Sequence, residues 1–166
     1  MKEKMLKLFE VSVDLDGVLA DFDRGFLECS TLPMRETNEE HAWEAIIRTP
    51  NFWRRLHPMP GAIAFWEWLK EQGASPHILT SPSGHDTQRA MKEKREWVDY
   101  WLGPHTSVFF RRASLKHQLA SPHGILIDDW EANVNRWANS GGIAIQHISI
   151  ESTKTQILNL LSKEPS

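Results

Sequence analysis

The stretch "FEVSVDLDGVLADFD", Phe9 to Asp23, decides the fold, because an alternating apolar run there stops at a dense group of acids. The run reads as a β-strand that ends near Asp14, followed by Asp16, Asp21 and Asp23 in place of an ordinary turn. Four further short runs share its character: "PHILT" (Pro76 to Thr80), "TSVFF" (Thr106 to Phe110), "GILID" (Gly124 to Asp128) and "GIAIQHI" (Gly142 to Ile148). Helical patterns alternate with them, and that rhythm predicts βαβ units around a mostly parallel sheet. In "GAIAFWEWLKEQG" the residues Ala62, Phe65, Trp66 and Leu69 fall at i, i+3, i+4 and i+7, and Gly73 provides the stop. In "DWEANVNRWANSGG" the expected apolar stripe is Trp130, Val134, Trp137 and Ala138, which assigns these tryptophans to the core.

Between Phe22 and Met59 the rhythm stops. Helical pieces occur there ("RGFLECS", "NEEHAWEAIIR") without a strand pattern, and "HPMPG" closes the segment. The expected organisation is a core of residues 1–21 and 60–166 with a small helical cap, residues 22–59, inserted after the first strand. The fold class is α/β, a Rossmann-like three-layer sandwich. The tail "SKEPS" is expected to fray.

Composition narrows the function. The chain has 166 residues, 19 Lys and Arg against 22 Asp and Glu, and a net charge of −3, so it lacks the basic field that duplex nucleic acid requires. The charged start, "MKEKMLKLFE", has no apolar signal core, and no segment approaches the ~20 apolar residues of a membrane span. The expectation is a soluble, cytoplasmic protein without a membrane partner; the sequence leaves a homodimer open. One cysteine, Cys29, rules out an intramolecular disulfide and a multi-cysteine zinc site.

In open parallel sheets, ligands bind beyond the carboxyl ends of the strands. That rule selects Asp14-Leu15-Asp16-Gly17, Thr80-Ser81, Arg111-Arg112 and Asp128-Asp129. Clustered carboxylates repel one another until a proton or a cation relieves them. Oxygen donors without thiolates favour a hard ion such as Mg²⁺, and hydroxyls with Lys or Arg at the same edge suit phosphate oxygens. The combination predicts phosphoryl chemistry on a small phosphorylated metabolite.

"DLDGVLAD", "ILTS", a downstream lysine and "LIDD", in that order, resemble the four signature motifs of the haloacid dehalogenase superfamily of phosphohydrolases, and the match runs from about Val11 to Asp129. Within that superfamily "DLDGVLADF", "PMPGA", "TSP", "EKREWVDYWLGP" and "LIDDW" resemble the 5'(3')-deoxyribonucleotidases. The resemblance implies that Asp14 is the nucleophile forming an aspartyl-phosphate and Asp16 the general acid and base. It implies that Thr80 and Ser81 hold a phosphate oxygen, and that Asp14, the main-chain carbonyl of Asp16, Asp128 and Asp129 hold Mg²⁺. The implied substrate is a nucleoside monophosphate, with Phe22 lining the nucleoside pocket.

Two lysines compete for the motif position. Lys116, in "ASLKHQLA" beyond the third strand, is the first choice. Lys94 shares a helical face with Ala90, Trp97, Val98 and Trp101, while Glu93 is expected to point elsewhere; a lysine on an apolar stripe either snorkels or meets an anion. The resembled enzymes carry a lysine in each segment, which implies that both approach the phosphate. Trp43 and Phe52 are further candidates for stacking on the substrate, Arg112 for touching it, and core packing is the default for Trp53. Asp21 and Asp23 are expected to open a helix, where the macrodipole favours acids. Two rivals remain: a phosphatase of sugar phosphates on the same fold, and a phospho-accepting receiver-like module, which the chain order of the motifs disfavours.

Overall fold

In the computed structural model residues 5–163 are described, so the start of the chain and the end of "SKEPS" lie outside the described residues. Five strands, β1 (Glu10–Val13), β2 (His77–Thr80), β3 (Val108–Phe110), β4 (Gly124–Asp128) and β5 (Ile143–Gln146), form one sheet. Their order is β3-β2-β1-β4-β5 and every pairing is parallel. Each strand lies within the run expected from the sequence. Six helices connect and flank them: α1 (Phe22–Leu27), α2 (Glu39–Arg48), α3 (Ala62–Glu71), α4 (Thr87–Trp101), α5 (Glu131–Asn139) and α6 (Ile150–Leu161). Among the described residues no helix is long and apolar enough to cross a membrane.

Strand periodicity sorts the core into two faces. Val11, Val13, Ile125 and Ile127 belong to the larger cluster, with Phe65, Trp66 and Leu69 of α3. Leu79 and Leu126 belong to a smaller one, closed by Trp137 of α5. Each fully buried Leu, Ile or Phe stabilises the fold by about 1.5–3 kcal/mol. From β1 the chain steps outward through β2 to β3, then returns across to β4 and continues outward to β5. The order reverses beside β1, and the crevice this opens lies beyond the ends of β1 and β4.

The segment between β1 and α3 holds α1, a 3-10 turn (Met34–Glu36) and α2, with no strand among these residues. Its two ends run side by side: Asp21 N donates to His57 O (2.8 Å) and Met59 N to Leu19 O (2.8 Å). The chain thus leaves and rejoins the sheet at one point.

Two helical faces differ from expectation. On α5 the buried residues are Asn133 and Trp137; Ala138 is exposed, and Trp130 is 54% exposed. The physical reason is that α5 begins at Glu131, so Trp130 is an extended residue before the first turn and its ring falls off the buried stripe. On α4, Glu93 is buried beside Lys94 rather than turned to solvent, because its carboxylate accepts the amide of Trp53 (3.0 Å).

Candidate active site

The site is built on a tight turn after β1. Asp14 continues the ladder, its N donating to Ile127 O (2.9 Å), and the carbonyl of buried Leu15 accepts the amides of Leu19 and Ala20 (2.9 Å each). The chain doubles back at Gly17, whose φ is +82°. The positive φ favours glycine, and a Cβ there would push aside the Asp129 carboxylate that packs against the turn. Leu15 turns into the core while Asp14 and Asp16 on either side of it face the cleft.

Four elements deliver the charged groups. Lys116, on the 3-10 turn Ala113–Leu119 after β3, donates to Asp14 Oδ1 (2.8 Å) and to Asp128 Oδ2 (2.8 Å) and is 2% exposed. Lys94 of α4 donates to Asp16 Oδ2 (2.7 Å), Thr80 Oγ1 (3.3 Å) and Ser81 O (2.8 Å). Both competing lysines therefore reach the site, one for each acid of the first motif. Among the described residues Asp14, Asp128 and Asp129 offer carboxylate oxygens within 4.8 Å of one another.

One buried ammonium does not neutralise this set. Burial pushes the Asp14 carboxyl up to about 7; Lys116 works against that shift, and the nearby Asp128 and Asp16 add to it. Asp129, at the cleft surface, goes up to about 6 because its carboxylate is shielded and adjoins Asp128. Burial alone would lower Lys116, but Asp14 and Asp128 outweigh it and hold the ammonium above its usual range. In addition, Asp16 Oδ1 is buried without a hydrogen-bond partner. Crowded oxygen donors, held partly protonated by burial and then by one another, fit a hard divalent cation such as Mg²⁺.

The acids line one part of a cleft of about 800 Å³, and Phe22, Trp43 and Trp53 line another. Phe52 does not reach it: the side chain is fully buried beneath Phe22 and Trp53, whereas Trp53, packed in the core as expected and 3% exposed, also has atoms at the cleft wall. Arg112 is exposed and does not line the cleft, because it sits ahead of the 3-10 turn that carries Lys116. Asp21 caps α1, accepting Arg24 N (3.1 Å), and Asp23 follows in the first turn, as expected of helix-opening acids.

Asn133 is the residue that sequence reasoning missed. Its Nδ2 donates to Asp128 Oδ2 (3.0 Å), while Asp128 Oδ1 accepts Trp130 N (2.9 Å), so both oxygens of this fully buried acid are engaged. The available signal was a polar residue one helical turn before Trp137, on the buried stripe of α5. Trp130, assigned to the core from sequence, stands instead at the edge of the cleft.

No family model matches the chain. The human cytosolic-type 5'(3')-deoxyribonucleotidase is 30% identical, in an alignment covering 75% of this chain and 72% of that protein. Two Bordetella proteins, from B. pertussis and B. bronchiseptica, provisionally named 5'(3')-deoxyribonucleotidases, are also 30% identical, and the alignment covers 56% of this chain. The chain spans 60% of the length of these bacterial relatives. Among solved structures, a haloacid dehalogenase-like hydrolase from Streptococcus pneumoniae superposes with a TM-score of 0.54 at 16% identity, covering 86% of this chain and 85% of that one. A second S. pneumoniae hydrolase gives 0.51 at 18% identity, covering 92% and 99%. The solved structures establish a haloacid dehalogenase-like fold, and the human relative establishes kinship over most of both chains: this protein belongs to the 5'(3')-deoxyribonucleotidase family.

Proposed function

We propose that the protein is a Mg²⁺-dependent phosphomonoester hydrolase that acts through an aspartyl-phosphate and takes (deoxy)ribonucleoside monophosphates as substrates. The observation that carries this reading is the joining of Asp14 and Asp128 by Lys116 at a cleft that Phe22, Trp43 and Trp53 also line. Asp14, Asp128, Asp129 and the main-chain carbonyl of Asp16 would hold the ion. When bound, Mg²⁺ supplies positive charge that lets Asp14 ionise and that balances the phosphoryl oxygens.

The remaining steps belong to the chain's own groups. An Asp14 oxygen attacks phosphorus and the ester P–O bond breaks, giving the aspartyl-phosphate; the leaving alkoxide takes a proton from Asp16. Asp16 then accepts a proton from water, the resulting oxygen attacks phosphorus, and inorganic phosphate leaves Asp14. Lys94 holds Asp16, Thr80 and Ser81 together, and its ammonium also serves the phosphate oxygens. Residues 22–59 act as the cap, and Phe22, Trp43 and Trp53 receive the nucleoside. This aromatic wall favours a substrate carrying an aromatic base over a sugar phosphate. Kinship with the human cytosolic type supports a cytoplasmic setting.

Phosphate release measured across nucleoside monophosphates and sugar phosphates, with Mg²⁺ and with EDTA, tests the reading. Expected is Mg²⁺-dependent turnover with nucleotides preferred, abolished in a folded Asp14→Asn variant. Full turnover in that variant would exclude the mechanism, and a flat substrate profile would exclude the nucleotide assignment.

A further inference from the structure

Helix α4 carries Lys94 to the site, and the same side of that helix grips the insert. Arg89, Glu93, Lys94 and Trp97 fall at i, i+4, i+5 and i+8, so they share one side of the helix. The guanidinium of Arg89 donates to the carbonyls of Ile46 (3.1 Å), Ile47 (3.1 Å) and Thr49 (3.3 Å) at and just beyond the end of α2, where a helix runs out of amides for its last carbonyls. One turn on, Glu93 accepts Trp53 N (3.0 Å). The Lys94 ammonium stands 4.4 Å from the centre of the Trp53 ring. One further turn on, Trp97 Nε1 donates to Leu56 O (2.8 Å).

The segment from residue 46 to residue 56 is thus tied along α4 by Arg89, Glu93, Lys94 and Trp97, with an exposed Arg54–Glu96 ion pair (3.4 Å) beside them, and Trp53, in its middle, is a wall of the cleft. Glu93 is the informative member. It is 4% exposed, its nearest cation is Arg89 at 3.8 Å, and burying a carboxylate costs free energy that an apolar residue would spare. What the acid supplies in that place is an acceptor for the Trp53 amide, which would otherwise be buried unpaired.

We propose that Glu93 is a positioning residue: through the Trp53 amide it sets the distance between the aromatic wall and the phosphate end, where Lys94, the next residue on the same helix, meets Asp16. Arg89 performs the same service for the end of α2. The wall is held in place by α4. This proposal rests on the phosphatase reading above, and its consequence is specific to the ring of the substrate. Loosening Trp53 weakens capture of a ring-bearing ester and leaves an ester without a ring unaffected.

The test compares wild type, Glu93→Ala, Glu93→Gln and Arg89→Met on thymidine 5'-monophosphate and on glycerol phosphate, with amide hydrogen exchange on the same proteins. Expected for Glu93→Ala is a KM for the nucleotide raised about tenfold with kcat nearly kept, an unchanged KM for glycerol phosphate, and faster exchange over residues 46–56. The Gln variant, whose amide oxygen still accepts the Trp53 N–H, is expected to return to wild-type KM. Should the Ala variant fail to fold, Arg89→Met carries the same expected split and the same faster exchange. An unchanged nucleotide KM, an equal loss on both esters, or a Gln variant as impaired as Ala overturns the proposal. Wild type that hydrolyses neither ester overturns the phosphatase reading instead. Exchange over residues 46–56 then decides the tether alone: faster exchange in the variants supports it, and unchanged exchange overturns it.

Discussion

Lys116 is buried between two carboxylates, Asp14 and Asp128, and each contact is 2.8 Å. Removing one partner of such a set leaves charge buried without compensation, which costs about 3–5 kcal/mol. Lys116→Met is therefore expected to lower stability by about that amount in urea denaturation without metal. Added Mg²⁺ is expected to recover part of the loss, since a cation that binds the folded acids stabilises them by mass action. A variant as stable as wild type in EDTA would show that the acids are relieved by some other group. The two lysines also illustrate what residue-level reading misses. Lys94 and Lys116 were both visible as candidates, but their division between Asp16 and Asp14 depends on where α4 and the 3-10 turn come to rest.

Helix α5 shows how one element serves packing and site at once. Trp137 packs against Leu79 and Leu126, and its indole N–H donates to Gly124 O (3.0 Å). One turn earlier Asn133 holds Asp128. Trp137→Ala is expected to cost about 3–5 kcal/mol in denaturant titrations, the range for a large aromatic removed from a core. Trp130→Ala, by contrast, is expected to change stability by less than about 0.5 kcal/mol, because that ring is 54% exposed. The two were equivalent on the apolar stripe read from sequence. A one-residue difference in where the helix starts separates them, and helix starts are the least certain part of a periodic pattern.

At the scale of the whole molecule, two buried populations oppose each other in pH. Burial lowers His147, whose Nδ1 is paired with Thr153 Oγ1 (2.8 Å), and His77 from the ordinary 6.5. Their contribution to stability is fully present above 6.5 and is lost as pH falls below it, because the unfolded chain then binds the extra protons. Asp14 acts in the other direction. Its carboxyl is raised from 3.8 to about 7 by burial, so the metal-free fold loses stability as pH rises through that window. Thermal melts in EDTA are expected to show Asp14→Asn melting higher than wild type at about pH 8, with the gap closing toward pH 4 and narrowing when Mg²⁺ is added. A gap independent of pH would rule out the proton on Asp14 as its cause.

The sequence by itself determined the five strands, the parallel α/β class and the acids of the first and last motifs. Each of these follows from local periodicity, or from residues adjacent along the chain. Asp14 and Asp16 could be read as a pair because two positions on an extended segment face the same way. Only the tertiary structure decided that Trp53 rather than Phe52 meets the cleft, that Asn133 holds Asp128, and that Glu93 faces inward. These depend on contacts between segments separated along the chain by up to 40 residues, as between Trp53 and Glu93. A helical or irregular segment carries no fixed alternation that says which neighbour it will meet. The opening acids could therefore be read from the sequence alone, whereas the walls that surround them are set by how α4 and α5 pack.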